Sequence, residues 1–456
     1  MIIEIGTLKS QLKTDNPKLL KALRELYAFK VPGSEFTPQY KRKQWNGKQD
    51  FISRTGVFRT GLLDSILKDL HKIECTPELH YLEEEREISL NSWDVEGFEF
   101  YPFQKELIDI ALKNKRGVLK SPTGSGKTLM MAAIVKALSH KKIVILFNAK
   151  QLLKQTYLFL TEDCNMSNIG ICYGEGFSYG DIMLCTVQSI EKILDTHLDF
   201  AEVLLIDECH EFSKGKLTLA AIQAFPEALY RIGFTATPPN EPIPSHALEG
   251  ALGPMWEVAS TSSLIEDGKL CRPIIQLIDR PTNVSSMDDH FSYSEIYDKY
   301  IVHNAERNDI IKSLVEEIKN TNERARILIL TKSLDHGRTL EKLLGSGCKF
   351  IEGADSLGER YKNISYFRKY KGNAILVGTK ILQTGINIEE ITHLINARGM
   401  KSEIATLQAL GRALRRHDSK DRVYIYDFLD KEKYLHDHSK DRENYYRKEG
   451  HDVQII

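Results

Sequence analysis

Eight residues, Ser121-Pro122-Thr123-Gly124-Ser125-Gly126-Lys127-Thr128, carry the clearest chemistry in the chain. They follow the apolar run Gly117-Val118-Leu119 and lead into another from Leu129 to Leu138, so the pattern predicts strand, loop and helix in succession. Gly124 and Gly126 can take backbone angles closed to other residues, which lets the loop from Thr123 to Thr128 turn successive amides toward one anion. Lys127 would supply a mobile charge for the outer phosphates of a nucleotide, Thr128 a hydroxyl for Mg²⁺, and the following helix its positive N-terminal end. The strict form of such a loop begins with Gly, whereas Ser121 stands here. Taken alone, the stretch also reads as a Gly-rich turn.

A second stretch, Leu205-Ile206-Asp207-Glu208-Cys209-His210, brings two acids together at the end of an apolar strand. Asp207 would hold Mg²⁺ through water, and Glu208 would orient and deprotonate an attacking water. An Asp-Glu pair after a strand is by itself more often a solvated loop. Downstream of a Gly-Ser-Gly-Lys-Thr loop it reads as the hydrolytic half of a nucleotide site.

The elements that position these groups come from the rest of the chain. With 456 residues it is long enough for two or three domains. No apolar run approaches the roughly 20 residues needed to span a bilayer, and Met1-Ile2-Ile3-Glu4-Ile5 is too soon interrupted by charge for a signal peptide, so a cytoplasmic setting without membrane contact is expected. The seven cysteines are odd in number, scattered and form no C-x-x-C pair, which argues for reduced thiols rather than a disulfide framework or a structural zinc. A net charge of -1 excludes a polycation that holds nucleic acid over its whole surface, so any such contact must use local basic patches.

Residues 1–88 read as a small module of their own: a short opening strand, a helix over Asn16 to Phe29, and a turn at Pro32-Gly33. Between Phe36 and Lys48 aromatic residues then interleave with cations. Lys41, Arg42, Lys43, Trp45 and Lys48 have the chemistry of a nucleic-acid surface, cations for phosphates and flat rings for sugars or bases. A hairpin with core aromatics and solvated cations is the equal alternative. After an acidic connection from Glu83 to Glu96, apolar strands alternate with helical patterns: 142–148, 181–187, 203–206 and 229–234, then, beyond Pro238-Pro239, 273–278, 327–330, 349–351, 374–377, 393–396 and 423–426. Nearly all-apolar strands in βαβα order specify α/β architecture with parallel sheets, whose ligands sit at the carboxyl ends of the strands. The charged tail from His436 to Glu449 reads as a solvated terminal helix.

The phosphate loop, Asp207-Glu208-Cys209-His210 and Thr235-Ala236-Thr237 together resemble motifs I, II and III of the superfamily 2 helicases, in the version with a DECH box. Gln408-Ala409-Leu410-Gly411-Arg412-Ala413-Leu414-Arg415 resembles motif VI, with Arg412 and Arg415 one helical turn apart and facing a bound γ-phosphate. The resemblance implies two RecA-like parallel-sheet motor domains in tandem, residues 89–272 and 273–456, behind a small α+β N-terminal domain, with ATP and Mg²⁺ bound between the motors. Gln104, in Tyr101-Pro102-Phe103-Gln104, would bond the adenine edge. Gly385 and Asn387, in a stretch similar to motif V, would lie near the ATP. Lys150, Gly174, Thr186 and Gln188 in the first motor domain, and Thr331, Gly353 and Thr379 in the second, would hold the backbone of one nucleic-acid strand.

The DECH box, the sparse inserts and the pattern around Tyr40, Trp45-Asn46-Gly47 and Lys48 further resemble phage branched-DNA helicases of the UvsW type. That implies ATP-dependent unwinding or branch migration of forks and four-way junctions in recombination, repair and replication, with the N-terminal module gripping the adjoining duplex. If the chain is phage-encoded, the setting is the host cytoplasm. Three other readings stay open: a superfamily 2 motor on RNA, a duplex-DNA translocase subunit of a restriction or excision complex, and a non-processive nucleic-acid-dependent ATPase switch. Under all four, Lys127→Ala should abolish ATP hydrolysis in a steady-state assay while nucleic-acid binding at low salt survives, and normal turnover would remove the nucleotide-hydrolysis assignment.

Overall fold

Alternating burial along two short strands starts the chain. β1 (Ile2–Ile5) and β2 (Lys9–Lys13) pair antiparallel and turn Ile3, Ile5 and Leu12 into a core. The expected opening strand is thus a hairpin. Helix Pro17–Leu26 follows, its first amides capped by the Asn16 side chain. β3 (Ala28–Lys30) and β4 (Lys48–Asp50) form a separate antiparallel ribbon, while β5 (Val57–Arg59) and β6 (Glu78–Tyr81) complete a sheet of order β5-β2-β1-β6. Helix Leu63–Lys72 covers it with Ile66 and Leu70.

The structure is a computed structural model that describes residues 1–82, 89–194, 201–213, 222, 224–279, 290–379, 388–417 and 420–456. The chain divides into two compact units, Met1–Ser121 with Gly126–Val258, and Ala259–Ile456 with Pro122–Ser125. The first unit thus includes the N-terminal module, which packs on the rest of it. Its Tyr27, Phe29 and Phe51 rings close on His246, with centroids 5.8, 4.4 and 5.6 Å away. Ser65 donates to Glu249, and Gly61 lies so near helix Pro242–Leu252 that a Cβ would strike the Glu249 carbonyl.

The main sheet of the first unit contains β7 (Arg116–Lys120), β8 (Ile143–Phe147), β9 (Ile169–Tyr173), β10 (Gly176–Ser178), β11 (Ile182–Thr186), β12 (Val203–Ile206), β13 (Tyr230–Thr235) and β14 (Met255–Glu257). Their order is β10-β9-β11-β8-β12-β13-β7-β14, parallel except for the β9–β10 hairpin. β8 and β12 are buried at every position, as strands covered on both faces must be. β7, β12 and β13 are contiguous in this order, so the loops after them emerge side by side.

The second unit holds a seven-stranded parallel sheet: β15 (Arg272–Asp279), β16 (Arg326–Leu330), β17 (Cys348–Ile351), β18 (Ala374–Gly378), β19 (His393–Asn396), β20 (Arg422–Leu429) and β21 (Val453–Ile455), in the order β17-β18-β16-β19-β20-β15-β21. Helix Thr261–Glu266, placed by the sequence at the end of the first motor domain, is tied to this unit by Thr261 and Ser262, which bond Glu449.

Helix Leu435–Lys448 corrects the expectation of a solvated tail, because Arg442 is buried. Its guanidinium meets both Asp427 carboxylate oxygens, at 2.9 to 3.1 Å, and Tyr446 donates to the same carboxylate at 2.9 Å. Asp430 receives Arg307 at 3.3 Å, and the Arg307 guanidinium lies 4.0 Å from the centre of the Phe428 ring. Among the described residues no helix is long and apolar enough to cross a membrane. Arg442→Met would strand buried carboxylates without their cation, and should cost about 3–5 kcal/mol in urea unfolding; Arg442→Lys should recover only part, because a single ammonium cannot match the two-pronged guanidinium geometry.

Candidate nucleotide site and nucleic-acid contacts

The phosphate loop has the backbone its composition requires. Gly124 and Gly126 sit at φ +88° and +85°, in the left-handed region. Helix Lys127–Ala137 starts from Gly126 without a side-chain cap, so no side chain competes for its first amides. Lys127 Nζ rests 3.3 Å from the Ser121 carbonyl, and the Ser121 amide is held by the Thr235 carbonyl at 2.9 Å. The Thr128 side chain lies on the exposed first turn of that helix. Thr123, Gly124 and Ser125 form the turn itself, closed by a bond from the Ser125 amide to the Pro122 carbonyl.

Gln104 is buried, and its Oε1 accepts the Tyr101 amide at 2.9 Å, capping helix Pro102–Asn114. Its amide lies against Gly126, where any Cβ would collide with Nε2. The residue expected at the base edge is therefore also a wall of the phosphate loop.

Asp207 and Glu208 leave β12 together. Asp207 Oδ1 accepts the Glu208 amide at 3.0 Å, and Glu208 itself has φ +47°. That left-handed conformation costs a non-glycine residue about 1–2 kcal/mol. Burial, then the charge of Glu208, pushes the Asp207 carboxyl well above the usual carboxylate range, while Lys127 opposes them. Two carboxylates in such a place call for a cation, so the donor set fits a hard divalent ion.

His210 is the group that sequence reasoning passed over. It is fully buried, shares a 2.9 Å hydrogen bond with the Thr235 hydroxyl, and places Nδ1 3.3 Å from Glu208 and Nε2 3.2 Å from Glu211. Thr235 also accepts the Thr237 amide at 3.1 Å, so the loops after β12 and β13 are joined through one imidazole. The Thr235-Ala236-Thr237 pattern was the available signal. Burial would depress His210, but its bonds to Glu208 and Glu211 prevail and raise its pKa to about 9.

The expected strand-holding residues differ in accessibility. Lys150, Gly174 and Gln188 are exposed, whereas Thr186 is buried and shares a hydrogen bond with Ser189 at 3.2 Å. Lys150 and Lys154 both lie over the Tyr173 ring, 4.5 and 5.2 Å from its centre. Lys154 was missed, although its four-residue spacing from Lys150 put both on one helix face. In the second unit Gly353 is exposed, while Thr331 and Thr379 are buried. Lys332, beside Thr331, is exposed. Gly385 and Asn387 lie outside the described residues. In the N-terminal module Lys41, Arg42, Lys43 and Lys48 are exposed and Trp45 is half-buried, its indole donating to the Lys48 carbonyl at 2.8 Å.

Arg412 and Arg415 require a correction. The helix that carries Arg412, Glu403–Ala413, ends before Arg415, whose backbone instead forms an isolated antiparallel bridge with Leu270. The Leu414 carbonyl accepts the Cys271 amide, which draws the chain away from helical continuation. The two arginines do not share one helical face.

Residues 97–240 match the family model for the type III restriction enzyme res subunit, and residues 307–417 that for the helicase conserved C-terminal domain. The ATP-dependent DNA helicase uvsW of Enterobacteria phage T4 is 24% identical over 454 residues, covering 91% of this chain and 89% of the relative. Among solved structures, a putative HsdR subunit of a type I restriction enzyme from Vibrio vulnificus YJ016 superposes with a TM-score of 0.59 at 17% identity, over 90% of this chain and 76% of that one. S. cerevisiae Dbp5 bound to RNA and ADP BeF3 gives 0.58 at 15% identity, over 78% and 90%. The fold is that of tandem RecA-like domains.

Two outcomes follow from the acid cluster. Glu208→Gln should keep ATP binding but lower turnover about 10²–10⁴-fold, the usual worth of a positioned base; unchanged turnover with weakened binding would contradict the role. The raised His210 pKa adds stability that is fully present below its unfolded value of about 6.5 and is lost as pH rises through about 9. Melting temperatures of wild type and His210→Gln between pH 6 and 10 should therefore converge at the alkaline end.

Proposed function

As a superfamily 2 helicase, an ATP-dependent enzyme acting on nucleic acid, this protein works, we propose, on branched DNA, remodelling forks and four-way junctions. The observation that carries this reading is the N-terminal module. Four exposed cations, Lys41, Arg42, Lys43 and Lys48, stand beside Trp45 and the exposed Tyr40 and Phe36, on a module packed against the first motor unit through His246 and Glu249. A duplex held by that face would move with the motor that hydrolyses ATP. The similarity to the T4 DNA helicase extends over 91% of the chain and supports DNA as the nucleic acid.

In this proposal the loop amides and Lys127 bind the phosphates, and Gln104 orients the base. Thr128 and Asp207 are the residues that would hold Mg²⁺, which supplies charge neutralisation to the phosphates when bound. Glu208 takes the proton of the attacking water, with its carboxylate positioned by His210. Lys150, Gly174, Gln188 and Gly353 follow one strand. Thr186, Thr331 and Thr379, whose hydroxyls are buried, serve that strand through their loops rather than their side chains.

Reversing charge at Lys41, Arg42 and Lys43 together should weaken binding to a four-way junction and flatten its log–log salt dependence by about 2–3, close to one unit for each phosphate that is no longer neutralised. ATPase activity with single-stranded DNA should persist, because those cations lie outside the motor. Equal unwinding of a four-way junction by the triple variant and the wild type would overturn the proposal.

A further inference from the structure

We infer that the second unit carries a nucleobase-stacking site built on Tyr434 and Tyr293, with Lys332 and Lys433 supplying charge for the adjoining phosphates. The starting point is a strained residue. Tyr434 has φ +64° and ψ -42°, and the Leu435 amide bonds back to the Lys433 carbonyl at 2.8 Å. This is a γ-turn of the rare strained hand, centred on a residue with a large side chain. Such strain costs of the order of a tenfold population penalty and persists where something selects the geometry. What the turn achieves is visible: it presents the tyrosine ring to solvent, 38% exposed, at the start of helix Leu435–Lys448.

The ring is not an isolated surface hydrophobe. Tyr293 stands against it edge-on at 6.2 Å between centroids, and Tyr293 is itself 5.3 Å from the His438 ring. Lys433 lies over Tyr434 at 4.9 Å, while Lys332 lies over Tyr293 at 4.9 Å and Tyr297 at 4.5 Å. The Tyr297 hydroxyl donates to the Arg398 carbonyl at 2.9 Å. Lys332, Arg398 and Lys433–Tyr434 follow the carboxyl ends of β16, β19 and β20, three strands that adjoin in a parallel sheet, and the rings of Tyr293 and Tyr297, on helix Tyr293–Tyr297, pack against them there. That is the edge where such sheets take ligands. Lys332 is also the exposed neighbour of Thr331.

Interleaved rings and cations at such an edge suit single-stranded nucleic acid, whose bases have open faces and whose phosphates need countercharge. A continuous duplex hides the faces that a tyrosine would meet. The site therefore takes an unpaired base, and it rests on the helicase reading only in requiring a nucleic-acid strand.

The test is the affinity of the full chain for a labelled single-stranded DNA oligonucleotide of mixed sequence, measured across salt concentrations. Tyr434→Gly removes the ring and relieves the backbone, so it should not lower the melting temperature yet should weaken binding about 5- to 150-fold, the span of one lost base stack. Tyr434→Trp should bind within a few-fold of wild type. Lys332→Ala should reduce the salt slope by about 0.7, the share of one neutralised phosphate on a single strand, whereas Tyr434→Gly should leave that slope intact. Wild-type affinity in Tyr434→Gly would overturn the inference while leaving the helicase assignment standing. Failure of the wild-type chain to bind the oligonucleotide would overturn both.

Discussion

Two carboxylates that leave one buried strand side by side cannot both hold charge without a counter-charge, and the first unit is arranged around that constraint. Burial and mutual repulsion raise Asp207, and Lys127 only partly compensates. The neighbouring loop presents the complementary problem, a helix start without a side-chain cap and two left-handed glycines. His210, bonded to Glu208, and Lys127 offset part of the carboxylate charge, and in the proposed function a nucleoside triphosphate with a divalent cation would complement both clusters. His210 connects this electrostatic pair to the rest of the unit, since one imidazole touches Glu208 and Thr235 at the end of β13.

The second unit solves a different problem by the opposite means. It matches two buried arginines with buried carboxylates: Arg442 with Asp427, and Arg307 with Asp430. The first pair fastens the terminal helix to β20, and the second fastens helix Ala305–Thr321 to the residue that follows that strand.

Much of this was legible in the sequence because its signals are local. The phosphate loop needs glycines in consecutive turns, and β8 and β12 need unbroken apolar runs; both patterns survive in any context. Arg415 was misplaced because three-residue spacing implies a helical face only while the helix lasts, and a backbone bridge to Leu270, 145 residues earlier in sequence, ends that expectation. The tail was misread because arginine and tyrosine at helical spacing look solvated unless the carboxylate that buries them is known. Likewise His246 gives no hint in sequence that three aromatics from the N-terminal module will close around it. Each miss is a long-range pairing of a polar residue with a partner that periodicity cannot name.

On the proposed function, ATP hydrolysis is coupled to branched DNA. That coupling is tested most directly by measuring the ATPase rate of the full chain with matched concentrations of single-stranded, linear duplex, forked and four-way DNA and of single-stranded RNA. Forked and four-way DNA should stimulate the rate most, with linear duplex and RNA well below them. Stimulation by RNA alone, or equal stimulation by linear duplex and four-way DNA, would contradict the account.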